Sequence, residues 1–170
     1  AAYSAALDAG GLTLASVQDD APYTYAGANG KSVNNYDRRY RGFTTLREAI
    51  TDSINIVTVK TLAQAGVSLG WQYVQEYGFT TVDSRDMNEA LALGGITQGV
   101  SNLELTAAYA AIANQGTYIK PKFYTKILDH DGNVLIDNTT PESHTVIKDT
   151  TAWLLTSAME DVMTSGTGTS

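Results

Sequence analysis

The sequence predicts an α+β domain, mostly helical, with one β-hairpin, and three observations carry that reading. Two capping boxes, Thr45-Leu46-Arg47-Glu48 and Ser101-Asn102-Leu103-Glu104, each open a run of apolar residues spaced three and four apart. Around Lys122 the period changes to two. Phe123, Thr125 and Ile127 alternate with Tyr124, Lys126 and Leu128, and Asp131-Gly132 separates them from Val134-Leu135-Ile136, which is the pattern of a hairpin. From Lys148 to Met163 the helical period returns, with Ala152, Leu155, Met159 and Val162 on one face.

Taken in order, Ala1 to Gly10 reads as the last turns of a helix, closed by Gly10 or Gly11 where a left-handed backbone is needed. Residues 11–43 read as a long connecting region, with turns at Asp20-Ala21-Pro22 and Ala28-Asn29-Gly30 and with Tyr23, Tyr25, Tyr36 and Tyr40 supplying packing. After the first capping box, Leu46, Ala49 and Ile50 share a short helical face. Ser53-Ile54-Asn55 then interrupts the pattern, and Ile56, Val59, Leu62 and Ala63 resume it as far as Gly66. Ser68 to Tyr77 forms a further helix with Trp71, Val74 and Tyr77 inward and Gly78 closing it. Residues 79–93 are mixed, and Gly94-Gly95 marks a turn or a tight backbone approach. The second capping box opens the clearest helix, whose Leu105, Ala108, Tyr109 and Ile112 are expected to face the core before Gly116 stops it. A polar loop runs through Pro141 to the last helix, and Ser165 to Ser170 reads as a small flexible run without a docking element. Both ends read as cut, so residues 1–170 are expected to form a partial domain with no internal boundary.

Composition narrows the chemistry. With 43% hydrophobic and 17% charged residues the chain has a globular balance, and its net charge of −7 opposes binding to nucleic acid or anionic lipid. The absence of cysteine removes disulfides, thiolate metal sites and a cysteine nucleophile. His130 and His144 lie outside any metal-ligand spacing and read as solvated loop residues, so neither a metal nor a cofactor is expected. No apolar stretch approaches the ~20 residues of a membrane span.

Other residues invite a functional reading and have plainer ones. Asp19 with Asp20, and Asp83 with Asp86, resemble paired carboxylates, but their polar segments make solvated charge the default. Gly166-x-Gly168 lacks the lysine and the preceding strand of a phosphate loop, and Trp71 and Trp153 read as core residues of helix faces.

Alone, Ser53-Ile54-Asn55 would be a cap and a turn. Its context is more specific, since the run from Tyr36 to Asn55 closely resembles the segment carrying the second active-site motif of class A (bifunctional) penicillin-binding proteins. Other segments resemble the same family in the same order: Tyr3 to Gly10 with Asp19-Asp20-Ala21-Pro22, then Leu93-Gly94-Gly95 with Val100 to Ala110 and Ala113 to Gly116, then Thr151 to Val162 with Gly166-Thr167-Gly168. That family has three motifs: Ser-x-x-Lys with the nucleophile, Ser-x-Asn, and Lys-Thr-Gly. Only the middle one occurs in this sequence. The resemblance implies the central helical part of a penicillin-binding/serine β-lactamase-like transpeptidase fold. It also implies that the nucleophile helix begins shortly before Ala1 and that the Lys-Thr-Gly strand follows Ser170.

The implied reaction is acyl transfer from the D-Ala-D-Ala end of a peptidoglycan stem peptide through an acyl-enzyme, with β-lactams as trapping mimics. The flanking segments of the domain would be partners of this chain, which would be inactive alone. The intact protein would work at the extracytoplasmic face of the bacterial membrane, with its anchor outside this chain. Ser53 and Asn55 are the catalytic candidates. A hydroxyl both donates and accepts, so Ser53 can relay the proton that the attacking serine loses and the leaving amine gains. The Asn55 amide can hold the lysine of the first motif on one side and a substrate amide on the other, which also makes it a substrate-binding residue. A carboxylate there would raise the pKa of that lysine and spoil it as a base. Two alternatives share the fold: a β-lactam sensor or non-catalytic penicillin-recognising module, and a serine β-lactamase.

Overall fold

The computed structural model describes residues 1–26 and 31–169. The expected turn at Ala28-Asn29-Gly30 therefore lies outside the described residues for Asn29, Gly30 and Ala28 alike. Among the described residues, six α-helices and short antiparallel strand pairs follow one another in the α+β arrangement that the sequence predicts.

Helix α1 (Ala2–Asp8) is followed by β1 (Val17–Asp20), β2 (Tyr23–Thr24), β3 (Ser32–Val33) and β4 (Gly42–Thr45). Strand β1 pairs antiparallel with β4, Val17 opposite Thr45 and Asp20 opposite Gly42, and β2 pairs with β3. The region 11–43 is thus a strand-bounded excursion rather than a plain connection, and its ends are brought together by the ladder that leads directly into α2 (Leu46–Thr51). Helices α3 (Asn55–Ala65) and α4 (Val67–Glu76), two short 3₁₀ turns (Ser84–Asp86 and Glu89–Leu93) and α5 (Asn102–Ala113) come next. Strands β5 (Thr117–Ile119), β6 (Lys126–Leu128), β7 (Val134–Asp137) and β8 (Ser143–Thr145) precede α6 (Asp149–Thr164). The expected hairpin is β6–β7. The segment expected to be a polar loop also supplies β8, which pairs with β5.

Helix α3 is the centre of the molecule. Its Ile56, Val57, Val59, Thr61 and Leu62 are all fully buried, and it packs against α1, α2, α4 and β1. Four of those five residues are β-branched and poor helix formers, so tertiary packing rather than intrinsic propensity holds this helix. Burying each large aliphatic side chain here contributes about 1.5–3 kcal/mol. The Thr61 hydroxyl, which would be costly to bury unpaired, donates to the Val57 carbonyl at 2.7 Å.

Small residues let α1 approach closely: Ala2, Ser4, Ala5 and Ala6 are buried, and Ser4 Oγ bonds the Tyr77 hydroxyl at 2.9 Å. At its C-terminal end Asp8 accepts from the Tyr73 hydroxyl (2.6 Å), the Lys148 N–H (2.9 Å) and the Thr151 hydroxyl (2.8 Å), which ties α1 to α4 and to the start of α6. Of the two glycines after α1, Gly11 adopts the left-handed conformation (φ 71°).

Both capping boxes form, at Thr45/Glu48 and Ser101/Glu104. The face of α5 differs from expectation. Ala107, Ala108 and Ala111 are buried, whereas Leu105 is 43% and Tyr109 57% exposed. Alanine allows α5 to lie close to α6 and β5, and that close approach turns the larger residues outward. On α6, Ala152 and Leu155 are buried as expected, but Trp153 is 68% exposed and not a core residue. It follows Ala152 by one position, about 100° further round the helix. Trp71 is half-buried, and its Nε1 donates to the Asp83 carbonyl at 3.2 Å.

Candidate functional site

The Ser53-Ile54-Asn55 corner joins α2 to α3. Its geometry is that of a Schellman ending: Ile54 N–H donates to the Ala49 carbonyl (2.9 Å) and Ser53 N–H to the Ile50 carbonyl (3.3 Å). That motif needs a left-handed residue at the position after the cap, normally glycine. Here the residue is Ser53, with φ 54°. Holding a side chain there costs about 1–2 kcal/mol.

Ile54 anchors the corner. It is 1% exposed in a cluster with Leu46, Ala49 and Val57, so the residues on either side are turned outward: Ser53 is exposed and Asn55 half-buried. Both border one cleft of about 560 Å³, whose other walls include Asn35, Asp37, Arg41, Asp52 and Thr167. The structure thus brings the two predicted site residues together at a helix junction facing a concavity.

Several of these wall residues were given no role from the sequence. Thr167 arrives because the segment after α6 is docked, contrary to the flexible run expected: its N–H donates to the Thr51 carbonyl at 3.2 Å, and a Cβ on Gly166 would stand 2.2 Å from that same oxygen. Arg41 Nη2 pairs with Asp37 Oδ2 at 3.0 Å, an i,i+4 spacing visible in the sequence. The Arg39 N–H and the Arg41 guanidinium hold the Asp37 carboxyl below the usual carboxylate range. Asn35 is 4% exposed. Its Nδ2 donates to Asp20 and to the Arg39 carbonyl (2.8 Å), and its Oδ1 accepts from the Ile56 N–H at 3.2 Å.

Asp20 overturns its solvated reading. It is fully buried, accepting from Asn35 Nδ2 at 2.8 and 3.0 Å and from the Arg41 N–H at 2.9 Å, with Arg41 Nη1 at 3.9 Å. Asp86 departs from it too. Only 1% exposed, it accepts from the Thr97 hydroxyl (2.6 Å), the Thr97 N–H (2.8 Å) and the Asp83 N–H (3.0 Å), and these bonds keep its carboxyl below the usual range. Asp20 and Asp86 satisfy backbone N–H groups inside the fold, whereas Asp19 is exposed as expected. His144 is likewise no loop residue. It lies in β8, its ring 5.3 Å from that of Tyr118 and its Nε2 2.8 Å from the Glu76 carbonyl oxygen. His130 is solvent-exposed. Among the described residues no group of three or more His, Cys, Asp or Glu side chains could hold a metal ion.

A family profile, the penicillin binding protein transpeptidase domain, matches residues 1–170, and the chain belongs to that family. It is 40% identical over 136 residues to penicillin-binding protein 1F of Bacillus subtilis, covering 80% of this chain and 18% of that protein. To penicillin-binding protein 1A of Clostridium novyi it is 33% identical over 167 residues, covering 92% of this chain and 19% of that one. The crystal structure of penicillin-binding protein 1A from Haemophilus influenzae superposes with a TM-score of 0.83 at 27% identity, over 98% of this chain and 29% of that chain. The chain thus spans about a fifth of the length of the curated relatives it matches.

Proposed function

We propose that residues 1–170 are the central, mainly helical part of one serine D,D-transpeptidase domain, without an internal boundary. The intact domain takes the D-Ala-D-Ala end of a peptidoglycan stem peptide, forms an acyl-enzyme and passes the acyl group to an amine of a neighbouring strand. β-Lactams acylate the same serine. Neither Ser-x-x-Lys nor Lys-Thr-Gly occurs in this sequence, so the nucleophile, its lysine and the third motif come from neighbouring segments, and the chain alone is inactive. The intact protein acts outside the cytoplasmic membrane; among the described residues no helix is long and apolar enough to cross a membrane.

The observation that carries this reading is the convergence of Ser53 and Asn55 on one cleft from a corner strained at the serine. The Ser53 hydroxyl passes a proton between the attacking serine and the leaving amine. The Asn55 amide positions the lysine and the substrate amide without adding charge that would raise the lysine pKa.

The test is acylation by a fluorescent penicillin in the full-length protein. Asn55→Ala should slow acylation by about 10²–10⁴-fold, the range of a lost acid–base or positioning contribution, with little change in melting temperature. Unchanged acylation would reduce the corner to a structural turn.

A further inference from the structure

The Ser-x-Asn corner is held from one side by the strand-bounded excursion between β1 and β4. Helix α3 begins at Asn55, yet its cap residue is Ile54, which has no side-chain acceptor to offer the first free N–H groups. That acceptor comes from 21 residues away: Asn35 Oδ1 receives the Ile56 N–H at 3.2 Å. The neighbouring residue makes the second contact, as Asn55 Nδ2 donates to the Asn34 carbonyl at 2.9 Å. Asn34 and Asn35 together therefore grip the first turn of α3, one by its backbone and one by its side chain.

An amide side chain can rotate, and a flipped Asn35 would present its NH₂ group to the Ile56 N–H. Asp20 prevents that. Its carboxylate accepts from Asn35 Nδ2 on both oxygens, at 2.8 and 3.0 Å, and a carboxylate has no donor with which to satisfy the flipped amide. Asp20 is itself held by the Arg41 N–H and lies at the end of β1, so its position is fixed by the β1–β4 ladder. With Asn35 fixed, the Asn34 carbonyl is aimed at Asn55 Nδ2. That bond engages one end of the Asn55 amide and leaves its Oδ1 to accept from a donor in the cleft.

We infer that Asp20 is a positioning residue for Asn55, acting through Asn35 to set which end of the Asn55 amide faces the reacting groups. The inference rests on the acyl-transfer reading given above. Asp20 touches no substrate in this scheme. Its contribution is orientation, and a full burial that looks merely structural is the means.

The experiment measures acylation of the full-length protein by a fluorescent penicillin, separating the first-order acylation constant at saturation from the initial binding constant. Asp20→Asn should lower the acylation constant about 10–100-fold, the size of effect that small misplacement of a reacting group produces, with the binding constant nearly unchanged. Asp20→Asn in an Asn55→Ala background should produce no further loss in that constant, because the group it positions is gone. The double exchange Asp20→Asn with Asn35→Asp restores a donor–acceptor pair and an acceptor for Ile56 N–H, and should recover part of the rate. Equal losses from Asp20→Asn in both backgrounds, or a fall confined to melting temperature, would overturn the inference while leaving Asn55 catalytic. No effect of Asn55→Ala itself would remove the acyl-transfer reading and this inference with it. Should Asp20→Asn not fold, Asn35→Ser cuts the same chain at its middle link and is read by the same comparison with Asn55→Ala.

Discussion

Thr167 N–H donates to the carbonyl oxygen of Thr51 at 3.2 Å, and this one contact brings the segment after α6 against the end of α2, beside Ser53. The cleft is therefore assembled from three parts of the chain: the helix corner, the excursion around Asn35 and the turn after α6. Each depends on a different local feature, and each can be perturbed separately.

At the corner, Ser53→Gly should relieve the left-handed strain and stabilise the domain by about 1 kcal/mol, whereas Ser53→Ala keeps a Cβ and should not. For a domain of this size the gain is about 2–4 °C in melting temperature. Both variants should lose acylation rate, so a more stable but slower Ser53→Gly protein is the expected result of thermal melts run beside penicillin labelling. A Ser53→Gly variant that melts lower than the unsubstituted protein would show that the serine side chain stabilises the corner.

The turn after α6 tolerates no side chain at Gly166, where a Cβ would meet the Thr51 carbonyl oxygen at 2.2 Å. Gly166→Ala should cost about 1–3 kcal/mol through overpacking and draw Thr167 away from the cleft. A crystal structure of the variant would show the displacement. An unchanged Thr51–Thr167 contact would mean that α2 gives way instead.

Glu104 gives the fold a pH dependence of known sign. Hydrogen bonds from the Thr80 hydroxyl and from the Ser101 and Thr80 N–H groups lower its pKa to about 2. A carboxylate lowered in the folded state adds stability that is complete above its unfolded value and disappears as the pH falls through the folded one. Melting temperature should therefore fall between about pH 4.5 and pH 2, and Glu104→Gln should flatten that part of the profile. Identical slopes for the two proteins would assign the acid sensitivity to other carboxylates.

Leu103, Leu105 and Tyr109 are exposed along α5, and Leu105 and Tyr109 line an apolar hollow of about 320 Å³ with Tyr3, Ile112 and Met159. Leu155 lines the same hollow but is itself buried. The isolated chain should bind an apolar dye, and Leu105→Ser with Tyr109→Ser should reduce that binding without lowering the melting temperature. A drop in melting temperature would show that these side chains carry packing within the chain.

The sequence alone determined what depends on contacts within about four residues. Both capping boxes, the position of the Ser53-Ile54-Asn55 break, the Gly78 and Gly116 stops and the β6–β7 hairpin are local signals, read from spacing and turn chemistry. Tertiary structure decided the rest. Which face of α5 is buried followed from how closely Ala107, Ala108 and Ala111 let it approach its neighbours, and the larger Leu105 and Tyr109 were turned out. The β5–β8 pairing joins strands separated by a whole hairpin, and no residue of either strand announces the other. Asp20 and Asp86 look alike in the sequence to any solvated carboxylate, because burial is set by the partners that surround them: Asn35 and Arg41 for one, Thr97 and Asp83 for the other. The left-handed Ser53 is the sharpest case. Its residue type argues against that conformation, and the backbone is held there by the Schellman hydrogen bonds and by Ile54, packed into the core with Leu46 and Ala49.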